Sequence, residues 1–497
     1  VEGMCGRVQL FTFNNSVDNL IRALCTRVLY CKINGTWVTP PNPTVSLFHR
    51  FRRFARFIDS FAMITSPMQL DDVPLHYKGA DRLRKQRAVG ILRTTGYLPK
   101  YAKVDAFTKA ELYDRSKKEP HDTDVRLIQP RSQEHLCYIA RYIIPIEKKF
   151  YRAIDKTMNL FQSDPSPTVM KGYNIQQIAG IARQKWDSYS RPVAIGGDAS
   201  RFDESCRKDS LKWLRDRYLK YYHGSDVTEF RQLLTNQIGG RGVGKASDGV
   251  VFYTTTGGKS SGDMDTSMTG CGLMCAMVSC YMHALKIRRY SLLNNGDDFV
   301  IICDAADANK ITSTNMHDYF LECGFRVAME PHVTTFEQIQ FCKMQPVYTG
   351  ERWTMCRNPH VAITKDATSI RPHQSFSDYV GWLACVGMGG IAACAGIPML
   401  QAYYQCFVRN ATKLKQDHPN ERVVAYVPPK DWTWKQNRIA SLAPTPHIIT
   451  DDARVSFYRA FGILPDIQVL MERYYEQHSL SWKGLHYYGD PQGVWFA

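Results

Sequence analysis

The stretch Ser291-Leu-Leu-Asn-Asn-Gly-Asp-Asp-Phe-Val-Ile-Ile-Cys303 places two apolar runs on either side of a polar turn. Asparagine and glycine tolerate the positive φ that a tight turn demands, so Asn295-Gly296 between such runs predicts a β-hairpin. Closing that hairpin would lift Asp297 and Asp298 to one exposed tip. Adjacent carboxylates repel each other, so holding both ionised favours a bound cation, and hard oxygen donors select Mg²⁺ or Mn²⁺. Read alone, the same residues also make an ordinary solvated turn. The rest of the chain decides between the two.

Upstream, Val193-Ala194-Ile195 is a short apolar run ending at Gly196-Gly197, followed by Asp198-Ala-Ser-Arg-Phe-Asp203. Leu211, Leu214, Tyr218 and Leu219 then recur at helical spacing, which predicts an amphipathic helix. Strand, turn and helix put Asp198 at a strand end and Asp203 on the turn beyond it, so one can hold metal while the other faces a substrate. Between this unit and the hairpin lies Lys259-Ser-Ser-Gly-Asp-Met-Asp-Thr266-Ser-Met-Thr-Gly270-Cys-Gly-Leu-Met274. It reads as a polar loop entering a small-residue, methionine-rich helix that continues to about Ala284. Ser261 and Thr266 offer hydroxyls, and Gly262 lets a ligand approach the backbone. A loop capping a core helix would account for this segment by itself.

Together the three segments resemble motifs A, B and C of viral RNA-dependent RNA polymerases: an aspartate followed five residues later by another, a Ser-Gly-x-x-x-Thr loop, and Gly-Asp-Asp, in that order. The likeness narrows to the tombusvirus and carmovirus replicases. It is carried by Ile128-Gln-Pro-Arg-Ser132, Ala140-Arg-Tyr142, Pro167-Thr-Val-Met-Lys-Gly-Tyr-Asn174, Ala246-Ser-Asp-Gly249, Phe341-Cys-Lys-Met-Gln-Pro-Val347, Arg357-Asn-Pro-His-Val361 and Gly396-Ile-Pro-Met-Leu-Gln-Ala-Tyr-Tyr404. These blocks run from about Arg82 to Asn410.

Composition agrees with such a protein. The net charge of +16 over 497 residues suits a partner rich in phosphate, since neutralising phosphates releases counterions; an anionic membrane surface is the other fit. The 15 cysteines show no paired Cys-x-x-Cys spacing and read as reduced, buried thiols of a cytosolic protein. Tyr379 to Leu400 lacks charge over a span long enough for a bilayer. Its glycines and Pro398 break it up, and a buried helix pair is the expectation. No signal peptide is evident, and a start at Val1 suggests a processed, read-through or truncated product.

The N-terminal third is basic. His49-Arg-Phe-Arg-Arg-Phe-Ala-Arg-Phe57 interleaves arginine with rings, a mix that can contact phosphate and stack on bases, or form an amphipathic helix with solvated arginines. Arg82 to Arg93 carries the same two readings. Lys117-Lys118 and Val125-Arg-Leu-Ile-Gln-Pro-Arg131 resemble motif F, in which Arg126 and Arg131 would clamp triphosphate oxygens with their planar forks.

The resemblance implies an α+β right hand: fingers at 1–190, a motif A palm segment at 191–222, a fingers insertion at 223–258, the palm of motifs B to E at 259–353, and a mainly helical thumb with a tail at 354–497. The palm would hold a ferredoxin-like antiparallel sheet. The implied reaction is RNA-templated nucleotidyl transfer from NTPs, with Asp198, Asp297 and Asp298 as catalytic ligands of two Mg²⁺ or Mn²⁺ ions. Asp203, Ser261, Gly262, Thr266, Arg126 and Arg131 would bind the nucleotide. Implied partners are template and nascent RNA, a viral auxiliary replication protein and host factors. The expected location is the host cytoplasm, in membrane-associated complexes reached through a partner or an N-terminal extension.

Two departures stand out. Gly270 occupies the place of a motif B asparagine that helps position the aspartate matching Asp203. After Gly324-Phe325 stand Arg326 and Ala328 in place of the motif D lysine suited to protonating pyrophosphate, and arginine is a poor proton donor at neutral pH. Lys310 and Lys343 are the distant substitutes. These departures alone favour a non-catalytic RNA-binding scaffold with a polymerase fold. The intact aspartates oppose it, and Asp203 opposes a reverse transcriptase. The terminal aromatics Trp432, Trp434, Tyr487, Tyr488, Trp495 and Phe496 suggest a core contact, or an element that stacks on the first nucleotide in primer-independent initiation.

Overall fold

The computed structural model describes residue 4 and residues 10–33, 36–115, 124–160, 165–370, 373–421, 445–482 and 495–496. The expected hairpin is present as strands Tyr290–Asn295 and Asp298–Asp304. They pair antiparallel from Tyr290 opposite Cys303 to Asn295 opposite Asp298, leaving Gly296-Asp297 as the turn. Gly296 adopts φ +87°, a conformation that costs glycine nothing. The buried Asn294 side chain fixes the turn by donating to the carbonyls of Gly296 at 2.9 Å and Asp298 at 3.3 Å.

Asp298–Asp304 pairs on its other edge with Pro192–Ala199, and that strand pairs with Val327–Met329, all antiparallel. The result is a four-stranded sheet. Helices Lys208–Leu219 and Thr266–Ala284 separate the first strand from the hairpin, and helix Ser313–Glu322 separates the hairpin from the last strand. Each connection skips over a neighbouring strand, so the helices gather on one face. Val193, Ile195, Leu292 and Ile301 pack there against Leu214, Met274 and Phe320. Ala194, Leu293, Val300 and Ile302 face the other way, onto Ile178, Trp186 and Phe336. Burial on both faces is why Phe299 to Cys303 reads as a continuous apolar run with no alternation. Each such side chain removed from water contributes about 1.5–3 kcal/mol.

The strand runs through Gly196-Gly197 to Ala199, with Asp198 next to its end as expected. Gly197 sits opposite Phe299, and a Cβ there would strike the Phe299 ring, while one on Gly196 would strike the Glu330 carboxylate. The glycines make room for side chains that lie across the strand. A second four-stranded sheet runs in the order Leu127–Ile128, Val104–Thr108, Gly240–Lys245 and Val250–Thr255; the short strand between Arg126 and Arg131 and the strand that leads into the Lys259 loop form its two edges.

Helices Phe376–Cys394 and Leu400–Asp417 form the expected buried pair. A Cβ on Gly390 would collide with the Tyr404 ring, so glycine permits the close approach. No helix among the described residues is long and apolar enough to cross a membrane. In helix Arg52–Ser60, Phe54 and Ile58 are buried while Arg52, Arg53 and Arg56 are exposed. The helix is amphipathic, with the Phe54 ring in the core and Phe57 half-buried. The described cysteines are all free. Lys117, Lys118, Trp432, Trp434, Tyr487, Tyr488 and the side chains of Trp495 and Phe496 lie outside the described residues.

Candidate active site

Register alone brings two of the aspartates together. Asp198, one residue before its strand ends, pairs directly across the ladder with Asp298, and facing side chains in such a pair are close enough to interact. Asp297 is exposed on the turn, whereas Asp298 is only partly exposed. The shared exposed tip expected from the sequence is therefore corrected: the turn holds Asp297, and Asp298 is the first ladder residue beside Asp198. Burial raises the Asp298 carboxyl above its ordinary range, Asp297 and Asp198 raise it further, and a hydrogen bond from the Cys342 thiol opposes them.

Asp203 reaches the same place by a different route. Arg201 takes a left-handed φ of 53° and redirects the chain into the single helical turn Phe202–Ser205. The Asp203 carbonyl accepts the Lys259 N–H at 2.7 Å, tying this turn to the Lys259 loop. Burial, then the Asp297 charge, push the Asp203 carboxyl up to about 7.

Glu330 is a fifth carboxylate that sequence reading missed. Its backbone N–H donates to the Gly196 carbonyl at 2.9 Å, and burial followed by Asp198 and Asp298 raises its carboxyl. The signal lay two residues before it, in Ala328, which pairs with Asp198, but a strand of three residues is too short to read by alternation. Among the described residues no three His, Cys, Asp or Glu side chains close a metal cage by themselves. The donor set is one of hard, mutually repelling carboxylates, two of them exposed, which fits divalent cations that draw their remaining ligands from substrate and water.

The Lys259 loop is held by Gln129 and Pro130, which lie between the two arginines. Ser261 Oγ accepts the Gln129 N–H at 3.1 Å, and a Cβ on Gly262 would lie 2.6 Å from the Pro130 Cα. The close approach that Gly262 permits is thus to this backbone. Thr266 Oγ1 donates to the carbonyls of Ser260 at 3.2 Å and Asp263 at 2.9 Å, so its hydroxyl closes the loop. Arg131 is also placed away from substrate. Its buried guanidinium pairs with Asp263 at 2.5 Å and donates to the carbonyls of Ala102 and of Gln237, the latter at 3.0 Å. That corrects its expected role as a phosphate clamp: every direction of the fork is engaged inside the protein. Lys259 is buried beside it, paired with Asp265 and with Asp263 at 3.2 Å. Arg126 is exposed, lies 3.4 Å from Glu111, and its charge favours the ionised form of Asp203.

Residues 1–483 match the family described as viral RNA dependent RNA polymerase. The chain belongs to this family. It is 35% identical over 492 residues to the RNA-directed RNA polymerase of melon necrotic spot virus, covering 99% of this chain and 60% of that one. Identity is 32% over 496 residues to the turnip crinkle virus enzyme, covering 99% and 61%, and 34% over 482 residues to that of tobacco necrosis virus strain A, covering 96% and 63%. The chain therefore spans about 60% of the length of the relatives it matches.

Within this polymerase family member the two departures have structural settings. A Cβ on Gly270 would lie 2.8 Å from the Gly296 Cα, so the helix carrying Gly270 presses directly on the Gly296-Asp297 turn. Arg326 lies 3.4 Å from Glu204. Lys310 pairs with Asp307 at 2.6 Å beyond the far end of the Asp298–Asp304 strand, away from the aspartates. Lys343 is exposed, has a left-handed φ of 60°, and favours the ionised form of Asp298. Of the two lysines, only Lys343 stands by the site.

Proposed function

We propose that this chain is the polymerase body of a positive-strand RNA virus replicase and copies RNA from NTPs. The observation that carries the reading is the register pair Asp198–Asp298 with Asp297 on the adjoining turn. Asp198 and Asp297 would hold two Mg²⁺ or Mn²⁺ ions with Asp298 in support. When bound, such ions lower the pKa of the primer 3′-hydroxyl and neutralise the leaving pyrophosphate. Asp203, on its own turn, reads the ribose; Arg126 meets the triphosphate; Ser261 and Gly262 shape the pocket wall through their ties to Gln129 and Pro130; Lys343, whose charge acts on Asp298, serves as proton donor.

The strand–helix–hairpin–helix–strand connectivity supports a ferredoxin-like palm, and the separate core of the helix pair supports a thumb from residue 354 onward. Fingers at 1–190 and 223–258, primer-independent initiation, an auxiliary replication protein and host factors, and a place in membrane-associated complexes of the host cytoplasm complete the reading.

Labelled nucleotide incorporation on a short single-stranded RNA tests it, with Mg²⁺ or EDTA, NTP or dNTP, and primer present or absent. Template-length product from NTP that requires Mg²⁺ is the expected result, and product without primer would support initiation de novo. RNA binding with no incorporation, beside an active related enzyme as control, would favour a scaffold.

A further inference from the structure

Beyond the aspartates, the structure contains a cavity of about 450 Å³ between helices Lys208–Leu219 and Gly224–Thr235, closed by Phe48 and by Thr255 and Thr256 at the end of a strand. None of Asp198, Asp203, Asp297 or Asp298 lines it. Its size falls within the usual range for small-molecule sites.

Basic and apolar side chains both line it. Lys208 and Lys212 stand one helical turn apart on the same helix face, both exposed and without an ion pair among the described residues. Arg231 joins them from the facing helix, and Asp216, 3.8 Å from Arg231, is the sole carboxylate of the lining. Arg215, 4% exposed, also lines the cavity. Its terminal nitrogens donate to the Leu234 carbonyl at 2.7 Å and to Gln237 Oε1 at 3.2 Å, while its Nε has no hydrogen-bond partner. Leu219, Leu234 and Ile238 supply the apolar part of the lining, and Phe48, 46% exposed, adds a ring to it.

We propose that this cavity binds a phosphorylated nucleoside at a site separate from the aspartates. The phosphates lie on Lys208 and Lys212, which have no ion pair among the described residues, and on Arg231, whose carboxylate partner Asp216 stands 3.8 Å away; the base stacks on Phe48 beside the apolar part of the lining. Either a free nucleoside triphosphate or one nucleotide of an RNA strand presents this chemistry. The site also has a mechanical link to the aspartates. Thr255 and Thr256 lead directly into Gly257, Gly258 and Lys259, and the N–H groups of Gly258 and Lys259 donate to the carbonyls of Cys206 at 3.2 Å and Asp203 at 2.7 Å. An occupant would therefore bear on the loop that holds Asp203.

Titrating the full chain with fluorescent N-methylanthraniloyl-GTP in EDTA reads binding without incorporation, so the result does not depend on the polymerase reading. Lys212→Glu with Arg231→Glu should weaken binding by roughly tenfold or more. If the double variant unfolds, Lys212→Glu alone, at an exposed position, should still weaken it measurably. Competition by unlabelled GTP identifies a free nucleotide as occupant, and competition by a short single-stranded RNA alone identifies a strand. Binding unchanged by the charge reversals, or no binding in EDTA, would overturn the proposal. So would Phe48→Ala leaving GTP affinity intact while inorganic triphosphate competes as well as GTP, because the cavity would then select only polyanions.

Discussion

Gly270 and Gly296 touch backbone to backbone: a Cβ on Gly270 would stand 2.8 Å from the Gly296 Cα and 3.7 Å from the Asp297 nitrogen. The motif B helix and the aspartate turn are therefore fitted to each other through two glycines. The asparagine that the motif B resemblance implies has no room at Gly270 without moving the turn. Gly270→Asn should lower stability by about 1–3 kcal/mol, the cost of overpacking, and reduce incorporation with it. Thermal unfolding together with NTP and dNTP incorporation checks this. A stable variant with sharper ribose discrimination would show instead that the turn yields easily.

The two arginines of the motif F segment separate by environment. Arg131 is buried against Asp263, and removing one partner of a buried pair leaves an uncompensated charge, at a cost of roughly 3–5 kcal/mol. Arg131→Met should therefore lower the unfolding midpoint sharply. Arg126 is exposed, and Arg126→Ala should leave the midpoint nearly unchanged while raising the KM for NTP. Denaturant unfolding and steady-state kinetics on both variants would reverse the assignment if Arg126→Ala unfolds and Arg131→Met shifts only KM.

The spacing of Asp198 and Asp203, the hairpin at Gly296 and the helix ending at Ala284 were all legible, because turn chemistry and helical period act over a few residues. What escaped was set by contacts distant in sequence. Nothing near Arg131 announces Asp263, Ala102 and Gln237 as its partners, and an arginine in a basic stretch reads as a solvated or ligand-facing group. The reason for glycine at Gly196-Gly197 was not legible, because the Phe299 ring and the Glu330 carboxylate, which need that space, come from distant parts of the sequence. Asp298 looked exposed because its register partner Asp198 is known only once the sheet is assembled.

His135 provides a pH-dependent test of the buried network around Arg131. Its ring is enclosed between the Tyr97 hydroxyl at 2.9 Å and Gln237 Nε2 at 3.1 Å. Burial and then the Arg131 charge lower its pKa from 6.5 to about 4. A depressed pKa means the unfolded chain binds the proton more readily, so this contribution is complete above pH 6.5 and is lost as the pH falls toward 4. The loss at the lower limit is about 3 kcal/mol. His135→Gln should flatten the fall in stability between these limits relative to the wild type, as measured by urea midpoints across the range. Parallel curves for the two proteins would place the acid sensitivity elsewhere.

Glu330 adds a charge to the aspartates without occupying a place in the recognised motifs. Asp198 and Asp298 both raise its carboxyl after burial, so repulsion runs through all three groups, and a divalent cation would relieve it. Removing the charge while keeping the shape removes part of the field that attracts the cation. Glu330→Gln should weaken Mn²⁺ binding severalfold, read from the electron paramagnetic resonance signal of the free ion, with the unfolding midpoint held or raised because repulsion in the empty site falls. Unchanged Mn²⁺ affinity would mean that Glu330 serves only to cover Gly196, and the carboxylates that matter for the ion would be those on the strand pair and the turn.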